Sequence, residues 1–438
     1  MREEGIGMRE ILMEVYRQIK EHVDQELLPF WEERGVDTRY GGYLVCCDSQ
    51  GKAKGDADKY IVTQTRMIWA YSAYARKYKK EEYLEKARQG VQFFIRHFWD
   101  AEFGGWFWKT DCRGEVLDKG KVVYGQTFAI YALSEYTLAS QDSVGLDYAC
   151  RTFDLLQKFC TDTANGGYYE NLEQDFSLSA PGFAAGDLKS LDIHMHTMEA
   201  FTTLYECSGQ EIHRRKLEEV IDVILTKMVN TEIGCGYNQF DIHFNRKPAI
   251  NIRRTWNAER ETGEVVETPT DTTSYGHNVE LAWLLNYAAK ILGYETDHFL
   301  PITHNLVEHA LRYGFDYERG GVYRDGPHEG QALVKDKEWW QNCEVLVGFL
   351  DAYQQEGDTR YAQAFVKTWE FDTAYMINHG AGEWRQLVRF DGSPIETQLG
   401  NPWKGMYHTG RAMLETLLRL ESILQMDKSA GKEVDGIK

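Results

Sequence analysis

Five stretches of this 438-residue chain set histidine, arginine, carboxylate and tryptophan side chains inside otherwise apolar sequence. In Thr65-Arg66-Met67-Ile68-Trp69 a guanidinium falls in a segment that should face a core. A buried arginine needs an anion or several acceptors, so Arg66 is either a clamp on ligand oxygens or half of a structural ion pair. In Leu191-Asp192-Ile193-His194-Met195-His196 the two histidines are two residues apart and cannot share a helix face. One can point inward while the other braces the wall. The same spacing occurs in metal sites, which would need carboxylates nearby. His277 and Glu280 are three apart and do share a face. A carboxylate beside an imidazole raises its pKa and orients its proton, an arrangement suited to general acid/base work. The plainer alternative is a histidine capping a helix start. Trp340 and Glu344 share a face four residues apart, either as a sugar-binding pair or as a core ring with a solvated acid. Trp403 could be a flat platform, with His408 just inside the last helix.

The elements that must position these residues come from a repeat. Gly-aromatic turns recur at Tyr40-Gly41-Gly42-Tyr43, Phe103-Gly104-Gly105-Trp106, Asn165-Gly166-Gly167-Tyr168, Gly234-Cys235-Gly236-Tyr237, Gly320-Gly321-Val322-Tyr323 and Gly382-Glu383-Trp384. Their spacing, about 62 to 85 residues, implies six units of a closed or stacked array. Between them the apolar period is helical over 59–78, 83–99, 122–140, 191–207, 277–291, 340–354 and 406–424. Two helices per unit give an all-α, (α/α)6 barrel of six helix pairs with the hairpins at one rim; an open solenoid of helix pairs is the alternative. Eight prolines in the whole chain agree with long helices. The longest step contains a polar segment near 245–272, read as a rim insertion that either covers the barrel mouth or decorates the surface. Residues 1–425 form one domain in this reading, and 426–438 a frayed tail.

Composition sets bounds on function. A net charge of −19 repels phosphate backbones and disfavours nucleic acid as a partner. No apolar run is long enough for a membrane span. The start, MREEGIGMREILMEVYRQI, reads as a polar stretch followed by an amphipathic helix without the apolar core of a signal peptide. The eight cysteines contain no CxxC pair, so neither a zinc ribbon nor a disulfide framework is expected, and a cytoplasmic protein follows. Twelve Trp, 26 Tyr and 20 Phe exceed what loops use; most must be core, and the surplus suits packing against sugar faces.

At these residues the chain resembles the N-acylglucosamine 2-epimerase superfamily, and within it cellobiose (mannobiose) 2-epimerases and mannose 2-epimerases. The resemblance runs from about residue 10 to 424. It is carried by Thr65-Arg66, by Tyr124-x-Gln126-x-Phe128-x-Ile130-Tyr131, and by His194-x-His196 with Glu199-Ala200. Ser274-Tyr275-Gly276-His277 with Glu280, Trp339-Trp340 with Glu344, and Trp403 with Tyr407-His408-x-Gly410-Arg411 complete it. The resemblance implies the same barrel and an aldose 2-epimerase. It implies His277 and His408 as the acid/base pair, His196 near the substrate carbonyl, and Arg66 and Tyr124 on substrate oxygens. Trp340 and Trp403 would stack on sugar, with Glu280 and Glu344 in support. Asp192, placed with the substrate-binding residues, stands where the disaccharide epimerases carry Asn. That departure and the 245–272 segment leave the aldose open between a disaccharide, mannose or glucose, and another aldose.

Such an enzyme removes the C2 proton of an open-chain aldose and returns one to the other face. The developing enediolate needs preorganised donors, for which Arg66 and His196 are suited. No metal and no cofactor are expected, and the sequence shows no dinucleotide or phosphate loop. The expected partner is a small sugar alone, with the protein a monomer or homodimer. Rival readings are an aldose–ketose isomerase, an (α/α)6 glycoside hydrolase working with two carboxylates, and a non-catalytic binding protein.

Overall fold

The computed structural model describes residues 2–180, 186–248, 250–251 and 269–425. The chain opens with α1, which runs over Arg2–His22 and continues through a π-helical turn into Leu28–Arg34. Five helix pairs follow: α2 (Ile61–Tyr78) and α3 (Glu81–Phe98), α4 (Val123–Ser140) and α5 (Ser143–Leu155), α6 (Leu191–Ser208) and α7 (Glu211–Val223), α8 (Tyr275–Leu292) and α9 (Leu300–His309), α10 (Trp339–Glu356) and α11 (Thr359–Phe371). The last helix is α12 (Met406–Ile423). The expected helical stretches coincide with these within a few residues at each end.

The even-numbered helices form the inner ring. Each packs on the next, α2 on α4, α4 on α6, α6 on α8, α8 on α10 and α10 on α12, and α12 returns to α2. Closure makes this an (α/α)6 barrel and excludes the open solenoid. The N-terminal helix α1 lies outside α12, so the two ends of the chain complete the sixth pair. Arg9 donates to the Leu424 carbonyl, and Trp31 Nε1 to Glu383 Oε2 at 2.6 Å, across that seam.

The two rings differ in sequence because they differ in surroundings. Inner helices are enclosed on both sides, so their first three or four turns are buried all round: Ile61 to Ala75 in α2, Leu191 to Leu204 in α6. Outer helices carry one apolar stripe. In α3 it is Tyr83, Ala87, Gly90, Val91, Phe94 and Phe98, at helical spacing. Gly90 has a packing reason, because a Cβ there would lie 2.0 Å from the Tyr43 hydroxyl.

A lysine brace recurs at the hairpin rim. Two residues before an inner helix, Lys59, Lys121, Lys189 and Lys337 each put a buried ammonium on the aspartate that opens the preceding hairpin. The partners are Asp37, Asp100, Asp162 and Asp316, at 2.7 to 2.9 Å. In the sixth unit Lys404 reaches Glu383 at 2.9 Å instead. The fourth unit has Asn230 and Thr273 at these places, so anion and cation are absent together, as desolvation requires. In five of the six inner helices the fourth residue then ties the hairpin down: Gln64, Gln126, His194, Asn278 and Asn342 all accept a backbone N–H from it. The paired glycines permit this approach. Gly167 has φ of 71°, and a Cβ there would sit 2.6 Å from His194 Nε2.

The 245–272 segment enters and leaves at one point, where residues 250–251 pair antiparallel with 269–270 just before α8. Its middle, residues 252–268, and the tail 426–438 lie outside the described residues, as do the expectations placed on them.

Candidate active site

All six inner helices are 18 residues long and start at the hairpin rim. Their sixth residues therefore form one layer around the axis: Arg66, Phe128, His196, Glu280, Glu344 and Arg411. Second and third residues stand above it, among them Tyr124, Asp192, His277, Trp340 and His408. A cleft of about 340 Å³ opens between these layers. Its lining brings together Arg66, Tyr124, Asp192, His196 and His277 with Glu280, Trp340, Trp403 and His408. Nine of the ten residues singled out from sequence thus meet in one place. The tenth, Glu344, is fully buried behind His408 and accepts from its Nδ1 at 2.7 Å. Trp339, which the sequence reading named without a role, also lines the cleft. The positive ends of the inner helices converge there, favouring negative charge on whatever is bound.

The histidines are in three different electrostatic settings. His408 donates its Nδ1–H to Glu344, which leaves the lone pair of the neutral ring on Nε2. Burial, then the positive charges of Arg66, Arg411 and His196, hold its pKa well below the ordinary imidazole value. Glu344 does little to offset this because it is already paired with Arg411 at 2.7 Å. His196 is the opposite case. Burial opposes its charge, but hydrogen bonds to Asp192 and Glu199 and the charge of Glu280 outweigh that and push its pKa up to about 10. His194 faces away from the cleft. Its Nε2 accepts from the Tyr168 N–H at 3.0 Å and its Nδ1 donates to the Ser190 carbonyl at 2.8 Å, and burial lowers its pKa to about 4. The HxH pair is thus divided between cleft and wall, and a shared metal on both rings does not fit.

His277 departs from the sequence expectation in its partner. Ser274, not the histidine, caps α8, by accepting the His277 backbone N–H. The imidazole lines the cleft and lies against the Trp340 ring, centroids 4.4 Å apart. Glu280 turns to Arg411 at 2.5 Å, and the carboxylate facing His277 Nε2 is Asp192 of the neighbouring helix, at 3.8 Å. Ring closure supplies the partner that the local spacing had assigned to Glu280.

Arg411 ties the floor together. It is 1% exposed and bonds Glu199, Glu280 and Glu344, one carboxylate from each of three helices. Burial and the Glu344 charge raise the Glu280 pKa, while Arg411 restrains it. Glu280 Oε2 has no hydrogen-bond partner among the described residues and lines the cleft as a carboxyl oxygen able to donate when protonated. Glu280, Glu344 and His408 could place three ligand atoms within 4.8 Å of one another, but a cation there would compete with the guanidinium already seated on both acids. Arg66 bonds the Tyr124 hydroxyl at 2.9 Å and the Trp403 carbonyl, and its guanidinium lies 4.6 Å from the Phe128 ring centroid. Tyr407 adds a hydroxyl to Glu199 at 2.8 Å. Arg411, Glu199 and Tyr407 received no role from sequence. Aligning the five inner helices that follow a brace lysine would have exposed Arg411, since it then falls level with Arg66 and His196.

Known proteins share the sequence family and the fold. The family model described as N-acylglucosamine 2-epimerase (GlcNAc 2-epimerase) matches residues 42–412. A cellobiose 2-epimerase of Bacteroides fragilis is 30% identical over 417 residues, covering 94% of this chain and 100% of that one. A D-mannose isomerase of Marinomonas mediterranea is 22% identical, over 87% of this chain and 92% of that one. Among solved structures, cellobiose 2-epimerase from Bacillus thermoamylovorans superposes with a TM-score of 0.82 at 25% identity, covering 92% of this chain and 99% of that one. The chain belongs to the N-acylglucosamine 2-epimerase family of carbohydrate epimerases and isomerases.

Proposed function

We propose that this chain is a sugar 2-epimerase that interconverts C2 epimers of an aldose, a cellobiose- or mannobiose-type disaccharide or mannose and glucose, through an enediolate. The observation that carries the reading is the opposite charging of imidazoles in one small cleft. His408 is held neutral and His196 cationic, with the Arg66 guanidinium beside them. A neutral base can take a proton near pH 7, and fixed cations stabilise the oxyanion that results.

In this mechanism a histidine first moves the O1 proton as O5 is protonated and the ring opens. His408 Nε2 accepts the C2 proton. The electron pair of that C–H bond becomes the C1=C2 double bond, and the carbonyl pair moves onto O1. Arg66 and His196 face the resulting negative charge. His277 returns a proton to C2 from the other side, and the pair on O1 restores the carbonyl. Trp340 and Trp403 hold the sugar ring, Tyr124 and Asp192 its hydroxyls. Residues 1–425 act as one catalytic unit.

The test is incubation with mannose, glucose, cellobiose and mannobiose in heavy water, with products separated by chromatography and examined by NMR. The expected result is the C2 epimer carrying deuterium at C2. A ketose without the epimer would move the assignment to aldose–ketose isomerisation; the Marinomonas relative is named D-mannose isomerase. New reducing ends without an epimer would indicate hydrolysis.

A further inference from the structure

We propose that Asp192 is a positioning residue that keeps His196 a standing imidazolium, committing it to the oxyanion and removing it from proton exchange. The inference rests on the enediolate reading above. His196 is flanked on its own helix by acids one turn away on each side. Its Nδ1 lies 2.8 Å from Glu199 Oε2 and its Nε2 3.3 Å from Asp192 Oδ1. Ionised carboxylates only accept, so each ring nitrogen must bring its own proton, and a ring with two is a cation. A neutral ring would aim a lone pair at one of the two acids.

The remaining neighbours do not reverse this. From α8, Glu280 favours the charge, and His277 shares Asp192 Oδ1 at 3.8 Å. From α12 come Arg411, whose charge is met by Glu199, Glu280 and Glu344, together with Tyr407 and His408. From α4 the Tyr124 and Phe128 rings pack on the imidazole, and from α2 Arg66 adds positive charge beyond them. Glu199 stays ionised: burial raises its pKa, but Arg411 and His196 outweigh that and leave it lowered. An asparagine at 192 would carry no charge and could donate through its amide to a neutral His196. The lock is therefore a property of this chain's aspartate.

The experiment uses the full-length protein labelled with 15N-histidine and read by long-range 15N–1H NMR, the His196 signals being identified by their loss in His196→Asn. In the wild type the His196 nitrogens should hold imidazolium shifts from about pH 6 to about pH 9. In Asp192→Asn they should titrate inside that window. The kcat of Asp192→Asn should then fall about tenfold for each pH unit above the new midpoint, a limb the wild type lacks there. Titration of wild-type His196 within the window would overturn the proposal, whatever the variant does. So would full charge in Asp192→Asn across it. The NMR needs no substrate, so inactivity towards every aldose would overturn the proposed function alone and leave the charge of His196 decided.

Discussion

Replacing Arg411 by methionine removes a charge while keeping much of the side chain's length and flexibility. The guanidinium is buried and is the shared counter-ion of Glu199, Glu280 and Glu344. Breaking a buried ion pair from one side costs about 3–5 kcal/mol, because the other charge is stranded. The structure gives an independent figure. Carboxylate oxygens of Glu280 and Glu344 lie within 4.8 Å of each other, and at an effective dielectric near 20 two such charges repel by at least about 3 kcal/mol. The chain can relieve this only by protonation. Glu280 is the group that takes the proton, since burial and Glu344 already raise its pKa and Arg411 is what restrains it. The sign follows from linkage. A carboxyl whose folded pKa lies above its unfolded value costs nothing at low pH and destabilises as pH rises from the unfolded value through the folded one. Burial and Glu344 already hold the Glu280 pKa at about 8 with Arg411 in place, so the two proteins part only above that value, and Arg411→Met should lose about 2 kcal/mol more at about pH 9.5 than at about pH 5. Urea denaturation followed by tryptophan fluorescence, at both pH values and beside the wild type, measures this. An equal loss at the two pH values would refute the reasoning and leave Arg411 a packing residue.

Three further outcomes are expected. His408→Ala and His277→Ala should each lower kcat for C2 epimerisation by about 10²–10⁴-fold with unchanged far-ultraviolet circular dichroism, and near-normal turnover in either would remove that histidine from the mechanism. Lys121→Met should cost about 3–5 kcal/mol in urea denaturation by stranding Asp100, with the Lys121→Met/Asp100→Asn double variant recovering much of it, as the uncharged Asn230 and Thr273 of the fourth unit do. Lys79 and Gln141 end inner helices with φ of 55° and 62°, where α6, α8 and α10 have glycine, so Lys79→Gly and Gln141→Gly should each be neutral or stabilising by up to about 1 kcal/mol in thermal melts.

The sequence by itself determined the elements. Helical periods, paired glycines and the spacing of six turns are local consequences of backbone sterics and burial, and they placed the six inner helices and α3 within a few residues. They also isolated the polar residues that a buried helix would otherwise exclude. The HxH spacing required that His194 and His196 diverge, because residues two apart cannot share a helix face. Which of them faces the axis was decided by the hairpin that His194 braces through the Tyr168 N–H. Tertiary structure alone decided the pairings. Spacing within one helix gave His277 the carboxylate of Glu280, but ring closure turns Glu280 to Arg411 and brings Asp192 from the adjacent helix instead. Arg411 gathers Glu199, Glu280 and Glu344 across a long stretch of chain, a meeting no local period encodes. The physical reason is that helix sterics act over a few residues, whereas the charge of a buried group depends on every neighbour that a closed ring brings to its axis.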